Sequence, residues 1–77
     1  GLLLPFARKQ ELQADGYGLF AMTRAGFDPE QAPKLWQRMD AMVPARGPTF
    51  LATHPAPAAR IEALTALIPE ARAAARS

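Results

Sequence analysis

A chain of 77 residues forms one domain at most and buries only a modest core, yet its hydrophobic fraction of 49% is too high for a chain that is disordered by composition. The absence of cysteine excludes both a disulfide framework and a thiolate metal site. Nine Lys and Arg residues against seven Asp and Glu give a net charge of +2, and because the basic residues are scattered rather than clustered, we expect no nucleic-acid binding.

The first residues, Gly1 to Leu4, are apolar but far too few to cross a membrane, and they lack the charged leader of a signal peptide. We expect the chain to begin inside a longer protein. Any membrane association would then come only through segments that are absent from this chain.

A first helix is predicted over about residues 6–25, after Pro5, which suits the opening turn of a helix. Gly26 is placed to end this helix, because glycine readily adopts the left-handed conformation that follows a helix terminus. Phe27 would then fold back toward Met22, which is the apolar contact that accompanies such an ending.

Two glycines, Gly16 and Gly18, lie inside this predicted helix, where each costs roughly 1 kcal/mol relative to alanine. Gly18 falls one turn beyond Glu11 and Asp15 on the same face. A face of small residues would let another helix pack close to these two acids. Alternatively, the glycines merely weaken a surface helix, and both interpretations stay open at this point.

A second helix is predicted over about residues 29–43. Asp28 suits the N-cap, Pro29 the first helical position, and Gln31 the position that completes a capping box. Apolar residues recur along this helix at three- and four-residue spacing, which predicts that they face the core: Ala32, Leu35, Trp36, Met39 and Val43.

The composition of residues 44–48 is typical of a linker, since proline and glycine dominate it. Residues 49–55 are predicted to approach the next helix as an extended segment, because Pro55 and Pro57 favour extended backbone just before them.

A third helix is predicted over about residues 56–67, and its apolar positions on one face are Ile61, Leu64 and Leu67 or Ile68. Pro69 is expected to end this helix, so that residues 70–76 form a short C-terminal helical turn that frays. The predicted fold class is therefore all-α, with three main helices.

The acidic pair Glu11 and Asp15 stands four residues apart, so the two carboxylates stack on one helix face. One interpretation is an ordinary solvated helix flank behind Arg8 and Lys9. The other is a metal ligand whose neighbouring carboxylate orients the rest of a metal site. The pair by itself leaves both interpretations open.

The only histidine, His54, lies between Thr53 and Pro55 at the entrance of the third predicted helix. A lone histidine in a loop is commonly a capping or packing residue, whereas flanking prolines would hold its backbone as a positioned catalytic group requires. A zinc site needs three protein ligands, so these residues do not make one by themselves.

Four sequence fragments nevertheless come in a recognisable order. They are Arg-Lys-Gln-Glu-Leu-Gln-Ala-Asp, Ala-Gly-Phe-Asp-Pro, Trp-Gln-Arg-Met, and Thr-His-Pro followed by Arg60-Ile61. In this order and spacing the chain resembles the C-terminal half of the HtpX/CAAX-prenyl-protease type of zinc metallopeptidase, in particular its BepA/LoiP-like and mitochondrial Oma-like members. The resemblance covers about residues 4–68. It implies half of a zincin-like catalytic domain, so we expect residues 1–77 to be a single partial domain.

The resemblance also implies roles for individual residues. Glu11 matches the glutamate of the family's E-x-x-x-D motif, which is the third zinc ligand, and Asp15 matches the aspartate that orients a ligand histidine. His54 would either stabilise the oxyanion or occupy the open metal position as a regulatory fourth ligand. Arg60 would pair with a carboxylate and anchor the loop that carries His54.

The H-E-x-x-H motif of this family, which supplies two zinc histidines and the general base, is missing from the chain. We therefore expect a fragment that neither binds Zn²⁺ tightly nor cleaves peptides alone, and whose parent is a zinc metalloendopeptidase acting on polypeptides. The missing segment would be the partner of the Glu11 face. Without it, we expect self-association into a homo-oligomer through the first helix.

The family resemblance further suggests protein quality control in the bacterial periplasm or cell envelope. A different interpretation is a non-catalytic helical module for interaction or dimerisation, in which the motifs are inherited but unused. An H-E-x-x-H motif in the segment before Gly1 would decide between the two.

Overall fold

The computed structural model of this protein describes residues 3–42 and 47–77. These residues form helices and no strand, so the all-α prediction is confirmed for the described part of the chain. Val43 and residues 44–46 of the predicted linker lie outside it. The helices are α1 (Leu3–Arg24), α2 (Gln31–Met42), α3 (Pro48–Thr53) and α4 (Pro57–Ala75).

The end of α1 matches its prediction. Gly26 has a φ of +99°, the left-handed conformation that glycine adopts without steric cost. The N–H of Gly26 donates to the Thr23 carbonyl at 3.1 Å, and the N–H of Phe27 donates to the Met22 carbonyl at 3.0 Å. This pair of bonds is a Schellman motif, which satisfies two carbonyls that a helix end leaves open.

The start of α2 differs slightly from the prediction, because the regular helix begins at Gln31 rather than at Pro29. Asp28 still caps this end of the chain: its Oδ1 accepts a hydrogen bond of 3.0 Å from the N–H of Glu30. The residues between Asp28 and Gln31 form a turn that leads into the helix.

The predicted core face of α2 is only partly buried. Ala32 and Trp36 pack against the core, whereas Leu35 and Met39 are 47% and 38% exposed. The prediction for these two residues is wrong, because α2 packs mainly against α4 and so has only one side of its apolar stripe covered.

The segment predicted to be extended, residues 49–55, contains most of a short helix, α3 (Pro48–Thr53), so that prediction is wrong for residues 49–53. Proline suits the first position of a helix, and Pro48 follows Gly47, whose carbonyl accepts from the N–H of Leu51 at 3.2 Å. The restriction imposed by Pro55 acts only on the residue before it, and His54 is indeed extended, with φ −121° and ψ 141°.

Helix α4 continues through Pro69 to Ala75, so the prediction that Pro69 ends the third helix is wrong. A proline inside a helix removes one backbone hydrogen bond. Packing outweighs that loss here, because Ile68 and Ala71 on either side of Pro69 are only 7% and 1% exposed. The C-terminal residues therefore continue α4, and Ala71 among them belongs to the core.

The core lies between α1 and α4. It is formed by Leu19 of α1 with three residues of α4, and partly buried residues of α1, α2 and α4 pack around it. The buried α4 residues are Leu64, Ile68 and Ala71.

Close approach of α1 and α4 occurs at Gly16, where an added Cβ would lie 3.4 Å from Cδ1 of Leu67. Gly18, which was the candidate from sequence, has no atom within 4 Å of such a Cβ. The helices make a flat body of 40 × 29 × 16 Å, with α2 and α3 packed on its α1–α4 layer. No helix in the described part of the chain is both long and apolar enough to cross a membrane.

Candidate functional site

The two carboxylates of α1 lie on the side of the helix that meets α3 and the first turn of α4. The Glu11 side chain is 33% exposed and the Asp15 side chain 14% exposed. Asp15 is therefore not part of a solvated flank, and its negative charge requires a partner.

That partner is Arg60 in the first turn of α4. Its Nε and Nη2 donate hydrogen bonds of 2.7 Å each to Oδ2 and Oδ1 of Asp15, and its Nη1 lies 3.7 Å from Oε1 of Glu11. Only 10% of the Arg60 side chain is exposed. The hydrogen bonds to Asp15 raise the pKa of the guanidinium, with smaller contributions from the charges of Asp15 and Glu11. The guanidinium of Arg60 therefore pairs with two carboxylates, those of Asp15 and Glu11.

Helix α4 places Arg60 here because of how it begins. Ala56 is extended at the N-cap and Pro57 occupies the first turn, where the missing N–H of proline costs no hydrogen bond. The N–H of Arg60 closes the first turn on the Ala56 carbonyl at 3.1 Å. The guanidinium of this turn then points across to α1.

Trp36 of α2 covers the guanidinium of Arg60. The Cζ atom of Arg60 lies 4.0 Å from the centroid of the Trp36 ring, which is a cation–π contact. The guanidinium nitrogens thus face the carboxylates, while the central carbon of the group lies over the indole ring.

His54 reaches the same site from the link between α3 and α4. Its Nδ1 is hydrogen-bonded to Oε2 of Glu11, and its ring stacks on Phe50 with centroids 4.6 Å apart and planes inclined by 23°. Nη1 of Arg8 donates a hydrogen bond to the Ala52 carbonyl, which ties the end of α3 to α1. The His54 side chain remains 42% exposed.

The structure thus brings together all four residues that the sequence indicated: Glu11, Asp15, His54 and Arg60. Their catalytic roles stay predictions. The predicted hydrogen bond from a ligand histidine to Asp15 involves a residue outside this chain, and here both oxygens of Asp15 accept from Arg60.

Three neighbours of the site were not predicted: Arg8, Trp36 and Phe50. The spacing of Trp36 indicates a core position and nothing more. Arg8 lies near Glu11 in sequence, but its partner, the Ala52 carbonyl, becomes its neighbour only once α3 forms. Phe50 and His54 are four residues apart, a spacing that brings side chains together on a helix, but this segment was predicted to be extended.

The donor set of the site fits part of a zinc centre. A carboxylate oxygen and an imidazole nitrogen are both zinc ligands, but a catalytic zinc site takes three protein ligands. The described residues contain no group of three or more His, Cys, Asp or Glu side chains that could hold a metal ion. A complete site would need further ligands.

Comparison with known proteins agrees with this chemistry. The family model described as Peptidase family M48 matches residues 1–68. The chain is 47% identical over 74 residues to the mitochondrial metalloendopeptidase OMA1 of Schizosaccharomyces pombe, covering 94% of this chain and 22% of that protein. No solved structure matches the chain significantly.

Two further relatives extend the comparison. The human protein named metalloendopeptidase OMA1, mitochondrial, is 37% identical over 71 residues, covering 87% of this chain and 14% of that protein. The beta-barrel assembly-enhancing protease of Escherichia coli strain K12 is 33% identical over 61 residues, covering 77% of this chain and 12% of that protein. The chain thus spans about a fifth or less of the length of these relatives.

These relatives contradict the expected location in a bacterial periplasm or cell envelope. The relatives at 37–47% identity are named as mitochondrial proteins and come from yeasts, a plant, a fish and human. The bacterial relative is less similar, at 33%. Nothing in the described geometry depends on the compartment. What the match to residues 1–68 and the relatives do show is that this chain belongs to peptidase family M48.

Proposed function

We propose that this chain is the part of a zinc-dependent metalloendopeptidase that supplies one metal ligand, Glu11, and an active-site histidine, His54. The observation that carries the proposal is the hydrogen bond between these two side chains, which are 43 residues apart in sequence. Family membership supports it, because the relatives are named as metalloendopeptidases.

In this proposal the remaining zinc ligands and the general base come from an H-E-x-x-H segment outside the chain. Bound zinc supplies a Lewis acid that polarises the scissile carbonyl and activates a water molecule. The residues of this chain contribute by holding the ligand and its neighbours in position. Glu11 offers a ligand oxygen, Arg60 lies 3.7 Å from Glu11 and is held in place by Asp15, and His54 is hydrogen-bonded to Glu11.

The exposure of the site agrees with this division of labour. Glu11 and His54 are 33% and 42% exposed, whereas Asp15 and Arg60 are 14% and 10% exposed. Groups that bind a metal or a substrate must be reachable, and groups that only orient them are best held by burial. The polypeptide substrate would approach from the open side.

The experiment uses the complete protein, with Glu11→Gln as the test and Glu62→Gln, at an exposed position of α4, as the matched control. Zinc content is measured by elemental analysis, and cleavage with a fluorogenic peptide. We expect Glu11→Gln to lose bound zinc and cleavage, while Glu62→Gln keeps both. Retention of zinc and of cleavage by Glu11→Gln would refute the proposed ligand.

The partner of the Glu11 face is part of the same proposal. Gly18 lies one turn beyond Asp15 and is exposed, with no atom within 4 Å of an added Cβ. We propose that the H-E-x-x-H segment packs on this face in the complete protein. The isolated chain would then self-associate through α1, and a monomer mass that does not change with concentration in sedimentation would contradict this expectation.

The mitochondrial names of the more similar relatives support a mitochondrial location for the complete protein. A fluorescent fusion of the complete protein, expressed in its own cells beside a mitochondrial marker, tests this. Exclusion of the fusion from mitochondria would contradict it.

A further inference from the structure

We propose that Trp36 is a positioning residue of the active site, acting on the carboxylates Glu11 and Asp15 through Arg60. This inference rests on the proposed peptidase function. It concerns a residue whose spacing in the sequence indicates a core position.

The guanidinium group of Arg60 is planar. Its donors all lie in one plane, so hydrogen bonds to carboxylates are made at its edge and leave both faces free. Arg60 uses its edge fully toward the site: two bonds of 2.7 Å go to Asp15, and Nη1 faces Oε1 of Glu11 at 3.7 Å. The direction of this plane is therefore tied to that of the Asp15 carboxylate, and the charge of the guanidinium lies beside Glu11.

The indole of Trp36 limits how far the guanidinium plane of Arg60 can rotate. Cζ of Arg60 lies over the indole ring, 4.0 Å from its centroid, in a region where only 10% of the Arg60 side chain is exposed. A cation–π contact holds the cation over the face of the aromatic ring, and it gains strength when solvent is excluded. If the Arg60 side chain rotated away from Asp15 and Glu11, it would also lose its contact with Trp36.

Helix α2 carries Trp36, and α2 packs mainly on α4. Trp36 is itself packed against the core cluster. The indole is thus held by the same core that holds α4, so the tryptophan, the arginine and the acids form a fixed series from α2 through α4 to α1. This series assigns to α2 a role at the site.

The test uses the complete protein and two substitutions of Trp36. Trp36→Phe keeps an aromatic face, whereas Trp36→Leu keeps an apolar side chain without one. We expect Trp36→Leu to lower kcat per bound zinc by about tenfold with KM within about twofold of wild type, and Trp36→Phe to restore kcat to within about threefold of wild type. Phe27→Leu, at an exposed aromatic position after α1, serves as the control and keeps wild-type kcat.

A double-mutant cycle with Arg60→Lys gives the decisive readout, because lysine keeps the charge but not the plane. If Trp36 acts through Arg60, Trp36→Leu has little further effect on kcat once the Arg60→Lys substitution is present. Independent, multiplicative effects of the two substitutions would overturn the inference, as would equal kcat values for Trp36→Phe and Trp36→Leu.

The outcomes separate the two proposals. If the wild-type complete protein cleaves no peptide in the presence of zinc, the proposed function fails and this inference falls with it. If the wild type cleaves but Trp36→Leu matches it in kcat, the inference alone is wrong. If Trp36→Leu does not fold, the effect of Trp36→Phe on kcat is measured with and without the Arg60→Lys substitution. An effect that is the same in both backgrounds would overturn the inference.

Discussion

Arg60 and Asp15 form a two-bond ion pair with both N–O distances at 2.7 Å, although 45 residues separate them in sequence. Their side chains are 10% and 14% exposed, so the pair is largely removed from water. It joins α4 to α1 beside Glu11. A buried pair of this kind depends on both members, because either charge alone would be uncompensated.

Loss of the Asp15 charge should therefore destabilise the fold. We expect Asp15→Asn to lower the free energy of unfolding by about 3 kcal/mol, because the substitution leaves the buried Arg60 cation with only the more distant Glu11 carboxylate, at 3.7 Å, as a charged partner. Urea denaturation followed by circular dichroism measures the change. Glu62→Gln, at an exposed position, should stay within about 0.5 kcal/mol of wild type. A loss below about 0.5 kcal/mol for Asp15→Asn would show that the pair contributes nothing to stability.

The two glycines at Gly18 and Gly26 should respond to alanine in opposite directions. Gly18 is helical with open space around it, so Gly18→Ala should stabilise the chain by about 1 kcal/mol through helix propensity. Gly26 has a φ of +99°, where a side chain is strained, so Gly26→Ala should cost about 1 kcal/mol. Thermal unfolding of the two variants in parallel is the measurement, and shifts of the same sign would contradict the described backbone.

Asp28 should make stability depend on pH in the acid range. The hydrogen bond from the N–H of Glu30 lowers the pKa of Asp28 from its ordinary 3.8, and Gln31 and the charges of Arg72 and Lys34 act in the same direction. A carboxyl group whose folded pKa is lowered contributes stability above its unfolded pKa and loses that contribution as pH falls through the folded value. This contribution is therefore complete above about pH 4 to 5 and disappears below the lowered pKa.

The matching measurement is a carbon NMR titration of the Asp28 carboxyl group, with unfolding midpoints of wild type and Asp28→Asn compared across the same range. Asparagine still accepts the hydrogen bond from Glu30 but does not titrate, so the variant should lose less stability on acidification. A titration midpoint at or above the ordinary 3.8 would contradict the geometry of this cap.

His54→Ala distinguishes the two roles predicted for the histidine. In the complete protein we expect the variant to keep bound zinc, because His54 is not among the ligands that the proposal requires. A roughly 100-fold fall in kcat would indicate an oxyanion-stabilising group, whereas a rise would indicate a regulatory ligand that blocks the open position. Phe50→Leu should shift kcat in the same direction to a smaller extent, because the Phe50 ring stacks on His54. Loss of zinc from His54→Ala would contradict both roles.

Local sequence patterns predicted much of the fold. The Schellman ending at Gly26, the cap at Asp28 and the helical stretches carrying Leu19, Trp36 and Leu64 follow from residue types and spacing. Such features depend on interactions within a few residues, which is why sequence alone predicts them. The order of motifs around Glu11, His54 and Arg60 also indicated the family.

The errors concern places where distant packing outweighs local preference. Pro69 should end a helix by its own chemistry, yet α4 continues because Ile68 and Ala71 are buried in the core that α4 shares with α1. Leu35 and Met39 have core spacing, but no helix in the described part of the chain covers them. Spacing shows which residues share a face and does not show whether a neighbour lies against that face.

The sequence by itself determined the helical class, the ending of α1 at Gly26 and the chemistry available: one histidine, an acidic pair one turn apart and an arginine after the histidine. Only the tertiary structure decided that Arg60 forms an ion pair with Asp15, that His54 is hydrogen-bonded to Glu11 and that Trp36 contacts the guanidinium. These contacts join residues that are distant in sequence, and their geometry depends on how α1, α2 and α4 pack on one another. Local pattern carries no information about that packing angle, so the arrangement of the site becomes visible only in three dimensions.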